Sequence, residues 1–361
     1  MTIRTFTTQL ATLAIAITST YAVAADYPNL IVHQEATNSL QADIKTRAHT
    51  SFQDWILTPA NQALELEPQH FPHVSYERKQ LKKVVDGIYS LTLAWHLSED
   101  DKLKKVYQEK ASELIVSIAN SISPGSHTPN ESILLPVYEA YSIIRSEMPQ
   151  DAQQTVNEWL KRQAGYFKNY KLTGTLIKNN WENVRLAILF DLAMLLSDES
   201  LYQFSVEALK AFVAVNIEPD GKTNDFMNRD ALTYHAYNQQ YYARILRAVY
   251  LYKGEEAALD LYKYKVQGHG SIEDAYQFWV PYFKQPSEKT HIEFVNTGWK
   301  PDLKRGDANK PYDPKATVYA MAHMIAMEKE AFDFIKTVVP DTEPHTLRLS
   351  TWLNYSLHSG R

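Results

Sequence analysis

Apolar residues recur at helical spacing along nearly the whole chain, and runs of strict alternation are few and short. Leu81 to Leu97 shows the pattern plainly, with Val84, Val85, Ile88, Leu91, Leu93 and Ala94 on one side. The same spacing predicts helices over residues 40–57, 103–118, 133–144, 152–166, 201–215, 231–251, 256–264, 272–283, 314–327, 328–338 and 346–357. One segment is not amphipathic. From Val184 through Leu186, Ile188, Leu189, Phe190, Leu192 and Met194 to Leu195, nearly every position is apolar. A helix that is apolar all round has no solvent face and belongs inside a larger helical assembly. Paired helices around such a segment predict an all-α fold, an (α/α) toroid or barrel of helical hairpins in two layers with little or no sheet. A curved open solenoid satisfies the same pattern, although no fixed-length motif marks a regular repeat family.

The first residues read differently. Arg4 precedes an apolar stretch from Leu10 to Ile17, and Ala22-Val23-Ala24 has the form of an A-x-A cleavage site. Residues 1–25 are therefore expected to be a secretory signal peptide, leaving a single domain over residues 26–361 with no Gly/Ser-rich linker. The expected location is periplasmic or secreted. No cysteine follows the cleavage site to carry a lipid anchor, and no later stretch is apolar enough to span a membrane.

Composition narrows the chemistry. The 361 residues are 45% hydrophobic and 22% charged, as in an ordinary globular protein with a sizeable core. The chain has no cysteine, which excludes disulfides, thiol nucleophiles and thiolate zinc sites. With 11 glycines and neither a GxGxxG nor a GxxxxGK[ST] pattern, a nucleotide-phosphate loop is not expected. His70 with His73, and His269 with Asp274, are spaced to share an ion, but no HExxH or HxH cluster occurs, so neither metal nor cofactor is expected. His323 lies among Ala320, Met321, Met324 and Ile325, as a core histidine would. There is no Gly-x-Ser-x-Gly elbow for a serine hydrolase.

Polar residues gather in particular places. Asn179, Asn180, Trp181, Glu182 and Arg185 crowd the start of the apolar helix, where a closed helical scaffold would open into a cleft; a capping Asn explains part of this by itself. Further on, Pro219-Asp220-Gly221 forms a turn, and a polar stretch leads into a Tyr-rich helix. There Tyr234, Tyr237, Asn238 and Tyr241 share one helical face. Tyrosines at that spacing usually form a core stripe, but Arg229, His235, Asn238 and Gln239 stand among them, and core faces rarely carry so many polar groups.

These two blocks resemble the alginate lyase superfamily: an asparagine pair opening an apolar helix, a Pro-Asp-Gly turn, then Arg229 followed by Ala231-Leu232-Thr233-Tyr234-His235. Polysaccharide lyase families 5 and 38 are the nearest, and the resemblance spans roughly Ser75 to Met327. It implies an (α/α) toroid that cleaves uronate polysaccharides by β-elimination. Where the family pattern reads Asn-Asn-His, this chain has Asn179-Asn180-Trp181, and Arg229 stands closer to its Tyr than the family's Arg does.

The residues satisfy that chemistry on their own terms. β-Elimination beside a uronate carboxylate requires neutralisation of the carboxylate, a base for the C5 proton and an acid for the leaving oxygen. Asn180 and Arg229 can hydrogen-bond the carboxylate and its developing enolate. Tyr234 can act as base where a nearby cation favours its ionisation, and as acid when protonated, with His235 completing the catalytic set. Lys178, Asn179, Trp181, Arg185, Tyr237, Asn238, Tyr241, Trp299 and Arg305 are the expected substrate contacts, the last two lying in a polar segment from His291 to Pro314. A formal net charge of −5 argues against nucleic acid as a partner. Yet Lys161, Arg162, Lys168, Lys171 and Lys178 approach the proposed cleft with no acidic residue among them, as an anionic polysaccharide would require. Two alternatives remain open to the sequence. One is a glycoside hydrolase on an (α/α) barrel using Asp220, Asp225 and Asp230; the other is a non-catalytic periplasmic polysaccharide-binding protein.

Overall fold

The periodicities become helices in the expected order. The computed structural model describes residues 29–125 and 128–359, so the leader expected over residues 1–25 lies outside the described residues. The longer helices are α1 (Gln34–Thr46), α2 (Arg78–Leu97), α3 (Asp101–Ser121), α4 (Leu135–Ile144) and α5 (Gln150–Asn169). They continue with α6 (Asn180–Leu195), α7 (Glu199–Asn216), α8 (Asn224–Arg229), α9 (Leu232–Lys253) and α10 (Glu255–Tyr262). After these come α11 (Ile272–Trp279), α12 (Val318–Met324), α13 (Ala331–Val338) and α14 (Leu349–Ser356). Local chemistry sets many of the ends. Asp100 and Asp198 accept the first free N–H groups of α3 and α7, Ser271 and Asp274 form a capping box on α11, and Gly254 stops α9 with a positive φ.

Pro59 sits in the first turn of a short helix, Thr58–Ala63, where its missing N–H costs no hydrogen bond. A π turn over Gln53–Leu57 joins that helix to the one before it.

Two layers result. In the inner ring α2 packs on α4, α4 on α6, α6 on α9, α9 on α12 and α12 on α14. Helix α14 then meets α1, and α1 returns to α2, so the ring closes as a toroid rather than an open solenoid. The closing seam is pinned by Trp352 Nε1 donating to Asp43 at 3.1 Å and Ser359 Oγ to Ser39 Oγ at 2.8 Å. Helices α3, α5, α7 and α10 lie against α2, α6, α6 and α9 respectively as the outer layer. Every residue of α6 from Asn183 to Leu195 is buried. Each Leu, Ile or Phe so buried stabilises by about 1.5–3 kcal/mol, which is why an all-apolar sequence belongs at this inner position.

Charge also crosses the ring. Arg244 of α9 lies 2.9 Å from Glu139 of α4 and 3.5 Å from Asp191 of α6, while Arg247 donates to Glu139 and, at 3.2 Å, to Asn354 of α14. Buried ion pairs add little net stability but penalise any packing that separates them, so this network fixes the register of the inner helices. Among the described residues there is no strand, only isolated bridges at Ile217–Thr223 and Ile292–Pro311 that pinch two connections. No described helix is long and apolar enough to cross a membrane.

Candidate active site

The starts of α6 and α9 meet at one end of the toroid, and a buried polar cluster joins them. Asn179 caps α6, its side-chain oxygen accepting from Trp181 N at 3.0 Å. One oxygen of Asp225, from α8, accepts from the backbone N–H of Asn180 at 3.2 Å, and the other accepts from the Asn238 amide. Asn183 of α6 donates to the Asn238 side chain at 2.9 Å, and Asn216 of α7 donates to Lys178 O at 2.7 Å. Burial pushes the Asp225 carboxyl up to about 6, against the amide donors that favour its charge. Asparagines rather than cations surround this carboxylate, so its task is to hold two helix starts in register.

Helix α8 ends at Arg229, and Asp230 in the left-handed conformation, φ 50°, turns the chain sharply into α9. That turn folds Arg229 back over Tyr234. The guanidinium carbon lies 3.8 Å from the ring centroid, and Nη2 donates to the Tyr234 hydroxyl at 2.7 Å. Nε and Nη2 also both donate to the carboxylate of Asp302, which is 3% exposed. Burial alone would disfavour the Arg229 charge, and Asp302 more than restores it.

Asp302 belongs to residues 291–313, a strap laid across the α8–α9 turn. Phe294 N donates to Asp230 O and Gly298 N to Asn228 O, both at 2.7 Å. Glu293 then caps α9 from outside the helix: its carboxylate accepts from Leu232 N at 2.7 Å, Thr233 N at 3.1 Å and Thr233 Oγ1 at 2.7 Å. An acidic side chain on open N–H groups at a helix start is favoured both by hydrogen bonding and by the helix dipole.

Between strap and helix starts opens a cleft of about 460 Å³, lined by Thr175, Leu176, Asn179, Trp181, Asp225, Asn228, Arg229, Tyr234, Gly298 and Trp299. Two indoles and a phenol offer flat apolar surface, while Arg229 and the Asn179 amide offer donors, a combination that suits an anionic sugar.

The expected site residues divide. Tyr234, Arg229, Asn179, Trp181 and Trp299 come together in the cleft, and Lys178 is exposed on its approach. Arg305 lies 5.7 Å from the Tyr234 ring but is paired with Asp307 at 3.0 Å. Asn180 sits just behind the wall, its backbone bound to Asp225 and its residue buried.

Four of the expected residues lie off the cleft wall. His235 is 0% exposed, with Nδ1 3.1 Å from Thr223 Oγ1 and Nε2 2.9 Å from Ala275 O, so it is a core residue; burial lowers it to about 4. Arg185 is buried and spent on Glu182 and on Phe167 O. Asn238 is buried in the Asp225 cluster, and Tyr241 is buried, sharing its hydroxyl with half-buried Tyr237 at 3.2 Å. The acids considered for hydrolysis are equally committed: Asp225 to amides, Asp230 to Asn296 N at 2.6 Å, and Asp220 to Lys222 at 2.7 Å in the exposed turn. Glu293 and Asp302 were not singled out, because their partners lie 61 and 73 residues away in sequence. Among the described residues no group of three or more His, Cys, Asp or Glu side chains is placed to hold a metal ion.

Comparison with known proteins places this closed helical toroid among the polysaccharide-cleaving lyases. The profile of the alginate lyase family matches residues 34–289, so the chain belongs to the alginate lyase family and is a polysaccharide lyase. Alginate lyase A1-III from Sphingomonas species A1 shares 16% identity with it, over 90% of this chain and 97% of that one, with a TM-score of 0.57. A His→Ala variant of A1-III complexed with tetrasaccharide matches at 17% identity over 72% of this chain and 74% of that one, TM-score 0.54. A Tyr→Phe variant, also complexed with tetrasaccharide, matches at 14% identity over 83% and 90%, TM-score 0.54. At these identities the likeness is one of fold. No curated protein sequence matches the chain.

Proposed function

We propose that the protein cleaves a uronate-containing polysaccharide, alginate and its polymannuronate blocks or glucuronan, by β-elimination. Tyr234 is the proton-transfer residue. As phenolate it takes the C5 proton; the electron pair enters the carboxylate-stabilised enolate; the C4–C5 double bond forms as the C4–O bond breaks; and the phenol returns its proton to the leaving oxygen. Trp181 cannot transfer a proton, so one residue serves both steps. The Arg229 donor favours the phenolate, since a cation beside a group that becomes negative stabilises that charge. The Asn179 amide on the cleft wall is an uncharged donor for the enolate oxygen. Trp181 and Trp299 supply apolar faces for neighbouring sugar rings.

The observation that carries this reading is the 2.7 Å contact from Arg229 to the Tyr234 hydroxyl inside the cleft. Support comes from relatives of the same fold complexed with tetrasaccharide. Lys161, Arg162, Lys168, Lys171 and Lys178, which precede the cleft residues in sequence, are exposed and suit a polyanionic chain. We infer a periplasmic or secreted location, where such polymers are met, from the signal-like pattern of the first residues. The test is incubation of purified protein with alginate, polymannuronate and glucuronan while following the ultraviolet absorbance of the new C4–C5 double bond. Reducing ends without that absorbance would mean hydrolysis, and neither would mean binding alone.

A further inference from the structure

The strap contributes more than a rim to the cleft. Its residues lie beyond the segment matched by the family profile, which ends at 289, yet Asp302 binds Arg229, Phe294 packs against the Tyr234 ring at 6.1 Å and Glu293 caps α9 just before that tyrosine. An arginine that binds a uronate carboxylate would do so with its planar fork of two parallel donors. Here that fork is filled by Asp302, a buried carboxylate that also accepts from Thr297 Oγ1 at 2.9 Å. Removing such a carboxylate from its partners is costly, so substrate does not displace it. What remains to Arg229 is the second Nη2 proton on the Tyr234 hydroxyl, with Nη1 facing no partner among the described residues.

We propose that Asp302 is a positioning residue of the reaction: it grips Arg229 through both carboxylate oxygens, keeps one guanidinium donor on the Tyr234 hydroxyl, and by its charge sets the pH at which that hydroxyl ionises. The inference rests on the lyase reading above. The charged and titratable groups around Tyr234 are Arg229 and Asp225 on α8, Asp302, Arg305 and its partner Asp307 on the strap, Tyr237 on α9 itself and Tyr319 on α12. Asp225 is bound to amides, while the cations fall into two balanced ion pairs, Arg229–Asp302 and Arg305–Asp307, flanking one phenol. Loss of the Asp302 charge leaves Arg229 with an unbalanced positive charge, and an unbalanced cation within a few ångströms favours ionisation of a neighbouring acid, moving it to lower pH by about one unit or more.

Asp302→Asn is therefore expected to move the acid limb of the kcat/KM profile to lower pH by about one unit, with KM changed less than about threefold. Asp302→Glu keeps the charge but displaces the oxygens; its acid limb should stay within about 0.3 units of the unmodified enzyme while kcat falls about tenfold or more. A lower kcat in Asp302→Asn with no movement of the limb would mean a merely structural role and overturn the proposal. So would a large fall in KM, because Asp302 would then be a plug that substrate must displace. A readout independent of turnover separates this inference from the lyase reading. Ultraviolet pH titration of each protein, minus the same titration with Tyr234→Phe added, reports ionisation of that one phenol. A shift in this difference titration upholds the role of Asp302 even with an inert substrate, and its absence refutes it. Should Asp302→Asn not fold, the Asp302→Glu titration decides: ionisation displaced by more than about one unit despite the retained charge sinks the proposal.

Discussion

Replacing Tyr234 by Phe removes one oxygen and little else. Loss of a positioned general acid–base group costs about 10² to 10⁴ in turnover, or about 2.7 to 5.4 kcal/mol of transition-state stabilisation. The effect on stability should be far smaller. A hydrogen bond to a charged group contributes about 1.5–3 kcal/mol when its loss leaves the partner unsatisfied. Here Arg229 keeps both bonds to Asp302, and the ring can still stack under the guanidinium, whose carbon lies 3.8 Å from its centroid. The open cleft also lets water replace the phenol oxygen. A destabilisation of about 1 kcal/mol or less follows. The assays are initial rates of double-bond formation, denaturant melts, and calorimetric binding of oligouronate to the variant. Turnover within about threefold of the unmodified enzyme would refute the mechanism, and a loss of stability as large as the loss of rate would show that the residue props the fold instead.

Three further outcomes follow from the same geometry. Trp299→Ala, at a residue 56% exposed on the cleft wall, should raise KM about 2- to 10-fold with kcat nearly unchanged, as loss of one stacking face would; an unchanged KM places the sugar elsewhere. Glu293→Ala opens the N–H groups of Leu232 and Thr233 and should cost about 1–2 kcal/mol in urea unfolding, together with turnover, since Tyr234 is the next residue; a silent variant would contradict the cap. Asp225, raised by burial to about 6 from the ordinary 3.8, binds its proton more tightly folded than unfolded, so its contribution is fully present below 3.8 and is lost as pH rises through about 6. Stability measured across that window should therefore change less with pH in Asp225→Asn than in the unmodified protein, and equal slopes would count against this origin.

Helices and their order were readable because burial of one face imposes a period that the residues must carry themselves. The site was readable only where its signal was local. Asn179 as a cap, and Arg229 five residues before Tyr234, fall in that class. His235 lies in the core for a geometric reason: consecutive helical residues point about 100° apart, so with Tyr234 on the cleft its neighbour turns inward. The same rotation sends Arg185 and Asn238 into the contacts between α6 and its neighbours, where Glu182 and Asp225 satisfy them. Polar residue types mark that region in the sequence, but whether a given amide faces the cleft or another amide depends on which helix lies opposite. Asp302 and Glu293 carried no local sign at all, since an acid in a polar loop looks the same whether it meets water or a guanidinium.

The strap also gives the molecule a timetable. A chain emerging from its N-terminus contains Arg229 and Tyr234 well before Asp302, which follows Arg229 by 73 residues. Until that carboxylate arrives the guanidinium can swing away from the phenol, and the first turn of α9 has no partner for its N–H groups. The proposed catalytic pair is thus armed only by a segment made late. A chain that stops short of residue 302 carries the tyrosine without that grip on its arginine.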